Sequence, residues 1–104
     1  MKEQKWYIER SDLKGATHLE VSVYYSKGGM NYLTSGTSPR GYYLCVRPVT
    51  KRGYSIRFDL FAGNSQFLFG TNRFTDKQFE RATIMAKDLE DELIAAVVAK
   101  NQAA

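Results

Sequence analysis

Basic and aromatic side chains are concentrated in one stretch of the chain, between residues 21 and 58. Its cations are Lys27, Arg40, Arg47, Lys51, Arg52 and Arg57. The same stretch contains no Asp or Glu, and it holds six of the seven tyrosines. Cationic side chains interleaved with aromatic rings can neutralise phosphate, stack on bases, or anchor a protein interface. This stretch is therefore predicted to carry a binding surface for nucleic acid or for a protein partner.

The positive charge of the chain is localised. The formal net charge is +4, yet residues 1–20 sum to zero, residues 21–58 to +6, residues 59–74 to zero and residues 75–104 to −2. A patch of this kind attracts nucleic acid or an acidic protein face, and the attraction weakens with salt. The alternative interpretation is that these cations only line solvated strand faces, although a purely solubilising surface needs no aromatic rings.

Residues that could carry catalysis are few. The chain has one His and one Cys, His18 and Cys45, and a nucleophilic pair between them would need an orienting third group that the sequence does not supply. Two such ligands do not close a structural zinc site. The glycines precede strands or turns, so they do not form a phosphate-binding loop at a helix start. We therefore predict a protein that is not an enzyme and that uses no cofactor or metal.

The last third of the chain is predicted to be one long helix. Thr75 is a good N-cap, Gln78 follows at the capping-box spacing, and Phe74 and Phe79 occupy the positions of a hydrophobic staple, so the helix should start at Asp76. Apolar side chains then recur every three or four residues, at Phe79, Ala82, Met85, Ala86, Leu89, Leu93, Ala96 and Val97. One face should be buried, and the final four residues should fray.

Upstream of this helix the apolar period is about 2, which is typical of strands. Strands are predicted over residues 18–25, 41–49, 54–61 and 66–69, with residues 50–53 joining the second and third as a hairpin. Residues 6–9 and 30–33 are further candidates. The expected fold is a single α+β domain over residues 1–104: an antiparallel meander of four to six strands (about 5–70) packed on one face by the helix (about 76–100). Strand order and the covered face stay open.

The segment RGYYLCV, residues 40–46, partly resembles the ribonucleoprotein motif of RNA-recognition domains, whose strand aromatics stack on bases. It departs from that motif at Tyr43, where a small residue is expected, and at Leu44, where an aromatic is expected. The helix that such domains carry between their first two strands is also missing. Because Tyr42 and Tyr43 point to opposite faces of a strand, one is expected under the helix and the other exposed.

The segments VYYSKGGMNY (residues 23–32) and RGYYLCVRPV (residues 40–49), with Asn72, Arg73 and Phe74 before the helix, resemble a family of small proteins carried on mobile elements of Gram-positive bacteria. Some of these proteins resemble type II anti-CRISPR inhibitors. The resemblance covers most of the chain and implies non-catalytic inhibition of an RNA-guided CRISPR nuclease, through a nucleic-acid groove, the guide RNA or assembly. A basic, aromatic surface suits RNA or an acidic protein patch better than mimicry of DNA.

The first hypothesis is thus an anti-CRISPR inhibitor whose partner is the nuclease, its guide RNA, or both. The predicted contact set is Lys27, Arg40, Tyr42, Arg47, Lys51, Arg52 and Arg57. A nucleic-acid-binding accessory protein of a plasmid or conjugative element is the alternative, and a protein–protein adaptor that forms a homodimer through a sheet edge is the third. The sequence has neither a secretory signal nor a membrane-span-length apolar stretch, so a cytoplasmic location is expected.

Overall fold

The structure is a computed structural model that describes residues 3–31, 36–50 and 64–103. Its elements, in chain order, are β1 (Glu3–Glu9), β2 (His18–Ser26), β3 (Gly29–Asn31), β4 (Gly36–Ser38), β5 (Gly41–Val49), β6 (Asn64–Gly70) and α1 (Asp76–Ala103). The strand predicted over residues 54–61 and most of its hairpin lie outside the described residues.

Four strands form one antiparallel sheet in the order β1-β2-β5-β6, which is the order of a meander along the chain. The short strands β3 and β4, which follow β2 and precede β5 in the chain, pair with each other and form a separate two-stranded sheet. One long C-terminal helix packs against the four-stranded sheet. The predicted α+β class, the antiparallel meander and the single packed helix are therefore confirmed.

The core lies between α1 and one face of the sheet. Along β2, Leu19, Val21 and Val23 alternate toward the helix and have no exposed surface, and Leu44 and Val46 of β5 lie beside them. Each such side chain contributes roughly 1.5–3 kcal/mol when it is fully buried. The period-2 pattern of the sequence thus identifies the buried face of both central strands.

On the helix side of the core, the buried residues keep spacings of three and four. They are Ala82, Ala86, Leu93, Ile94, Val97, Val98 and Asn101. Ala96 was predicted on this face and is exposed, while Ile94 and Val98 are buried in its place. A side chain as small as alanine gives little hydrophobic signal, so the position of the stripe near the helix end is set by the larger neighbours.

The start of α1 is formed by contacts within a short segment. The backbone N–H of Gln78 donates to Thr75 Oγ1 at 3.1 Å, and the N–H of Phe79 donates to the Thr75 carbonyl at 2.9 Å. The rings of Phe74 and Phe79 lie 5.7 Å apart. The predicted N-cap, hydrophobic staple and first helical residue, Asp76, are confirmed.

The return half of the capping box is made by a different residue from the one predicted. The backbone N–H of Thr75 donates to Tyr42 Oη at 3.4 Å, and the Tyr42 hydroxyl donates to the Thr75 carbonyl at 3.3 Å. The side-chain oxygen of Gln78 is buried and has no hydrogen-bond partner among the described residues. A tyrosine of strand β5 therefore takes the role that the local pattern gave to Gln78.

Tyr42 lies at the centre of an aromatic cluster under the helix. Its side chain has no exposed surface, and its ring centroid lies 5.2 Å from that of Tyr25, 5.1 Å from Phe69, 6.0 Å from Phe74 and 6.2 Å from Phe79. Tyr42 belongs to the contact set predicted from the sequence for the binding surface. A side chain packed in this way cannot touch a partner, so Tyr42 is a core residue and is removed from that set.

The end of α1 also differs from the prediction. The helix continues to Ala103, and Asn101 is 2% exposed. Asn101 Oδ1 accepts from the Lys14 N–H at 2.8 Å, and Asn101 Nδ2 donates to the Lys14 carbonyl at 3.2 Å. The expectation that the last four residues fray is therefore wrong for residues 101–103. The loop between β1 and β2 satisfies the polar groups that would otherwise favour fraying.

Replacing Asn101 should show how much this anchor stabilises the fold. We expect Asn101→Ala to lower the free energy of unfolding by about 2 kcal/mol, because its two hydrogen bonds to the Lys14 backbone are lost. The matched control is Gln102→Ala, which removes an exposed side chain bonded to Asp12. Urea denaturation measures both variants, and equal effects would show that Asn101 has no special role.

Tyr42 should make stability depend on alkaline pH. Burial raises the pKa of the Tyr42 hydroxyl. Because the unfolded chain loses this proton near about pH 10, the contribution of Tyr42 is fully present below that pH and is lost as the pH rises through the higher folded value. We expect Tyr42→Phe to cost about 1 kcal/mol at neutral pH through the lost hydrogen bond.

The comparison of urea midpoints between neutral and alkaline pH isolates this residue, because the wild-type protein and the variant carry the same lysines. The variant should lose less stability than the wild type as the pH rises. Parallel pH profiles would contradict a role for the Tyr42 proton.

Candidate functional site

The register of the sheet brings three loops together at one of its ends. Ser26 of β2 is opposite Gly41 of β5, and Gly41 is in turn opposite Gly70 of β6. The residues just outside these positions, Lys27, Arg40 and Thr71, therefore lie on neighbouring loops. We call this part of the molecule the basic end.

A cavity of about 340 Å³ opens at the basic end and is lined by Tyr25, Lys27, Arg40, Asn72 and Phe74. Its volume lies within the range of roughly 300–1,000 Å³ that is usual for small-molecule sites. Two of the predicted contact residues, Lys27 and Arg40, are thus brought to one cavity from separate loops. We call it the Lys27–Arg40 cavity.

The cationic side of this cavity is held together by the backbone. Arg40 Nε donates to the carbonyl of Lys27 at 3.2 Å, which fixes the guanidinium beside the neighbouring loop. Both side chains belong to exposed residues, and neither forms an ion pair with any carboxylate of the residues that the structure describes. Their charges are therefore not used by the described part of the fold.

The aromatic side of the cavity is fixed by the core. Tyr25 and Phe74 pack edge-to-face at 5.9 Å, and the hydroxyl of Tyr25 donates to the Thr71 carbonyl at 3.2 Å. Thr71 Oγ1 in turn accepts from the N–H of Arg73 at 3.3 Å and so closes the turn that presents Asn72. The rest of the lining is thus a pair of aromatic rings and a loop bonded to β2.

Arg47 lies apart from this cavity and is paired within the sheet. Arg47 and Glu20 are opposite each other in the register of β2 and β5, and Arg47 Nη2 lies 2.8 Å from Glu20 Oε1. Glu20 is 3% exposed, while the Arg47 side chain is 39% exposed. Seven positions of extended chain separate Arg47 from Arg40, which correspond to about 23 Å. Arg47 therefore compensates a buried carboxylate, and its contact with a ligand stays a prediction.

Two groups of β1 also lie at that carboxylate, and Lys5 Nζ is 4.0 Å from Glu20 Oε1. The hydroxyl of Tyr7 donates to Glu20 Oε2 at 3.0 Å, and this hydrogen bond, more than any other cause, raises the pKa of Tyr7. Tyr7 is 51% exposed on the edge strand β1. The arrangement satisfies a buried charge and leaves the outer part of the Tyr7 ring in solvent.

The sheet face opposite the helix carries a row of rings but no open stacking surface at its centre. Tyr24 and Tyr43 stack at 5.6 Å, and Tyr43 meets Phe67 edge-to-face at 5.4 Å. Tyr43 is 9% exposed, and Phe67 is 41% exposed. The expectation that one of the pair Tyr42 and Tyr43 lies under the helix is confirmed, but the expected exposure of the other is wrong because its cross-strand neighbours cover it.

The remaining predicted contact residues are Lys51, Arg52 and Arg57, which lie outside the described residues. Conversely, Tyr25, Asn72 and Phe74 were not in the predicted contact set, although Tyr25 lies within the basic and aromatic stretch of residues 21–58. The staple spacing located Phe74 at the helix start, and the strand period located Tyr25. No local pattern in the sequence shows the pairing of β2 with β5 and of β5 with β6, and this pairing brings their end loops together.

His18 and Cys45, the pair considered for nucleophilic chemistry, do not converge. His18 is opposite Val49 and Cys45 is opposite Ser22, so the two side chains lie four positions apart along neighbouring strands, about 13 Å. This is beyond hydrogen-bond reach. Within residues 3–31, 36–50 and 64–103, no group of three or more His, Cys, Asp or Glu side chains could hold a metal ion. In the same ranges, no helix has both the length and the apolar character needed to cross a membrane.

Comparison of the chain with protein-family models, with curated proteins and with solved structures finds no match.

The ion pair in the sheet gives a stability prediction. We expect Arg47→Met to lower the free energy of unfolding by about 2 kcal/mol, because the carboxylate of Glu20 stays buried and loses its strongest partner. The double variant Glu20→Gln/Arg47→Met removes the buried charge and should recover most of that loss. Urea denaturation of the single and double variants measures the coupling. Additive effects would show that the pair does not stabilise the sheet.

Proposed function

We propose that this protein is a non-catalytic, cytoplasmic binding protein that recognises nucleic acid, RNA above all, through the basic end. One observation carries the proposal: Lys27 and Arg40 converge from separate loops on a single cavity, without a carboxylate partner among the described residues. Holding two like charges together costs free energy unless an anion joins them. A phosphate group is the anion that suits such a pair.

The chemistry of the two cations supports a phosphate ligand. Arg40 presents a planar guanidinium that can bind two phosphate oxygens at once, and Lys27 adds a compact charge. For single strands, each neutralised phosphate contributes about −0.7 to the slope of the logarithm of affinity against the logarithm of salt concentration. Two contacts therefore predict a contribution of about −1.4 from the basic end.

RNA is favoured over duplex DNA by the Phe74 ring at the same end, which is partly exposed, whereas Tyr25 is 7% exposed and supports that ring from the core. Unpaired bases present their ring faces to aromatic and guanidinium groups, whereas the bases of a duplex are stacked on each other. The resemblance of residues 23–32 and 40–49 to mobile-element proteins supports a specific partner, the guide RNA of a CRISPR nuclease or the nuclease that holds it. Inhibition would then follow from occupation of that RNA or of its binding groove.

The test of this proposal is binding of fluorescently labelled single-stranded RNA, guide-type RNA and duplex DNA at roughly 50 mM and 200 mM salt. We expect the charge-reversal variant Lys27→Glu/Arg40→Glu to bind RNA at least about tenfold more weakly, with a shallower salt dependence. The matched control is Lys87→Glu/Lys100→Glu, which makes the same change in net charge on the helix. It should retain most of the affinity.

Parallel assays with a purified CRISPR nuclease separate the possible targets. Loss of nuclease activity, or a mobility shift that needs the nuclease, would support the inhibitor. Binding to free RNA or DNA without any effect on the nuclease would support the accessory protein of a mobile element. If the charge-reversal variant and its control bind every nucleic acid equally, the basic end is not the binding surface, and a homodimeric adaptor becomes the better proposal.

A further inference from the structure

The Lys27–Arg40 cavity combines three kinds of side chain. Together they suit a nucleotide better than a simple anion. Two cations, two aromatic residues and Asn72 line the same space. A site for inorganic anions needs only the cations. The rings and the amide are the groups that proteins use to hold and to distinguish bases.

From this lining we infer that the Lys27–Arg40 cavity binds one nucleoside monophosphate group, the phosphorylated end of a nucleic acid strand. Where that nucleotide comes from rests on the proposed function, because a free mononucleotide carries the same chemical groups. In the bound arrangement, Lys27 and Arg40 hold the phosphate, the Phe74 side of the cavity meets the base, and Asn72 donates to or accepts from its edge.

Charge matching favours a terminal phosphate over an internal one. A phosphate monoester carries about −1.5 to −2 charges at neutral pH, whereas a diester within a strand carries one. Lys27 and Arg40 supply two positive charges that no described carboxylate offsets. A monoester would neutralise both, while a diester would leave one positive charge unmatched.

The cavity is preformed in its main parts, which favours binding of a small group. The rings of Tyr25 and Phe74 are held by each other and by the buried Tyr42, and the Tyr25 hydroxyl is bonded to Thr71. Arg40 is fixed to the Lys27 backbone. Little conformational freedom is therefore lost when a nucleotide enters, and such loss is a main cost of binding.

The size of the cavity limits the ligand to about one nucleotide. Its volume of about 340 Å³ is at the lower end of ordinary ligand sites. A second base would have to lie outside the space between Phe74 and Arg40. This is expected for a site that binds the terminal nucleotide of an RNA strand while the rest of the RNA contacts the basic end.

The experiment is isothermal titration calorimetry of the full chain with adenosine 5′-monophosphate, adenosine and inorganic phosphate. The same sequence of single-stranded RNA is then titrated with a 5′-phosphate, with a 3′-phosphate and with hydroxyl groups at both ends. We expect the monophosphate to bind at least tenfold more tightly than adenosine or phosphate. One phosphorylated RNA should bind at least fivefold more tightly than the hydroxyl-ended RNA, and the monophosphate should displace it.

Two variants assign this binding to the cavity. Arg40→Met removes one cation, and Asn72→Ala removes the amide of an exposed residue and leaves the charge unchanged; each should reduce monophosphate affinity at least fivefold. The matched control is Arg73→Met, an exposed cation next to Asn72 that does not line the cavity. It should keep the preference for a phosphorylated end. Circular dichroism melting shows whether each variant is folded.

The results separate this inference from the proposed function. If RNA binds with equal affinity whatever its ends, and the monophosphate neither binds nor competes, the nucleotide site is overturned while the RNA-binding proposal stands. Inorganic phosphate binding as tightly as the monophosphate would also overturn it, because the rings and Asn72 would then have no role. If the monophosphate binds and RNA does not, the cavity is a free-nucleotide site and the proposed function fails.

Discussion

The arrangement of this protein depends on how the hydroxyl of Tyr42 is satisfied. The ring is fully buried, so its one polar atom must find a partner inside the protein. It finds the N–H and carbonyl of Thr75, the residue that caps α1. The first turn of the helix is therefore fixed over the end of β5. Phe74 packs on the same ring, so the loop that precedes the helix is fixed with it.

The second constraint is the close approach of the β5 and β6 backbones at the basic end. Gly41 and Gly70 are opposite each other, and a Cβ at Gly41 would collide with the carbonyl of Phe69 and approach Gly70 Cα to 2.9 Å. Only glycine allows β5 and β6 to come this close. Because Arg40 precedes one glycine and Thr71 follows the other, this contact sets the distance between the cationic loop and the loop of Asn72. The Tyr42–Thr75 hydrogen bonds and the Gly41–Gly70 contact thus shape the cavity, although none of these residues lines it.

Features were predictable from the sequence when the interacting residues lie close together along the chain. The start of α1 was predictable because Thr75, Gln78 and the staple phenylalanines are within six positions of each other. The strands were predictable because their apolar period is also local. The end of the helix was not, since Asn101 bonds to Lys14, 87 positions away. The pairing of Arg47 with Glu20 and the burial of Tyr43 likewise depend on the register of β2, β5 and β6, which no local pattern contains.

The contrast between Arg40 and Arg47 shows why the number of cations alone does not locate a binding site. Arg47 lies within β5, opposite a carboxylate that is 3% exposed, and the cost of burying that charge makes the ion pair necessary to the fold. Arg40 lies just before the same strand, is exposed, donates from Nε to the Lys27 carbonyl and forms no ion pair with a described carboxylate. A ligand that bound Arg47 would compete with Glu20, whereas one that bound the terminal nitrogens of Arg40 would compete with no described carboxylate. Three cations of the predicted contact set lie in the described residues: Lys27, Arg40 and Arg47. Of these, Lys27 and Arg40 have no described carboxylate partner and have the electrostatic freedom to bind a phosphate.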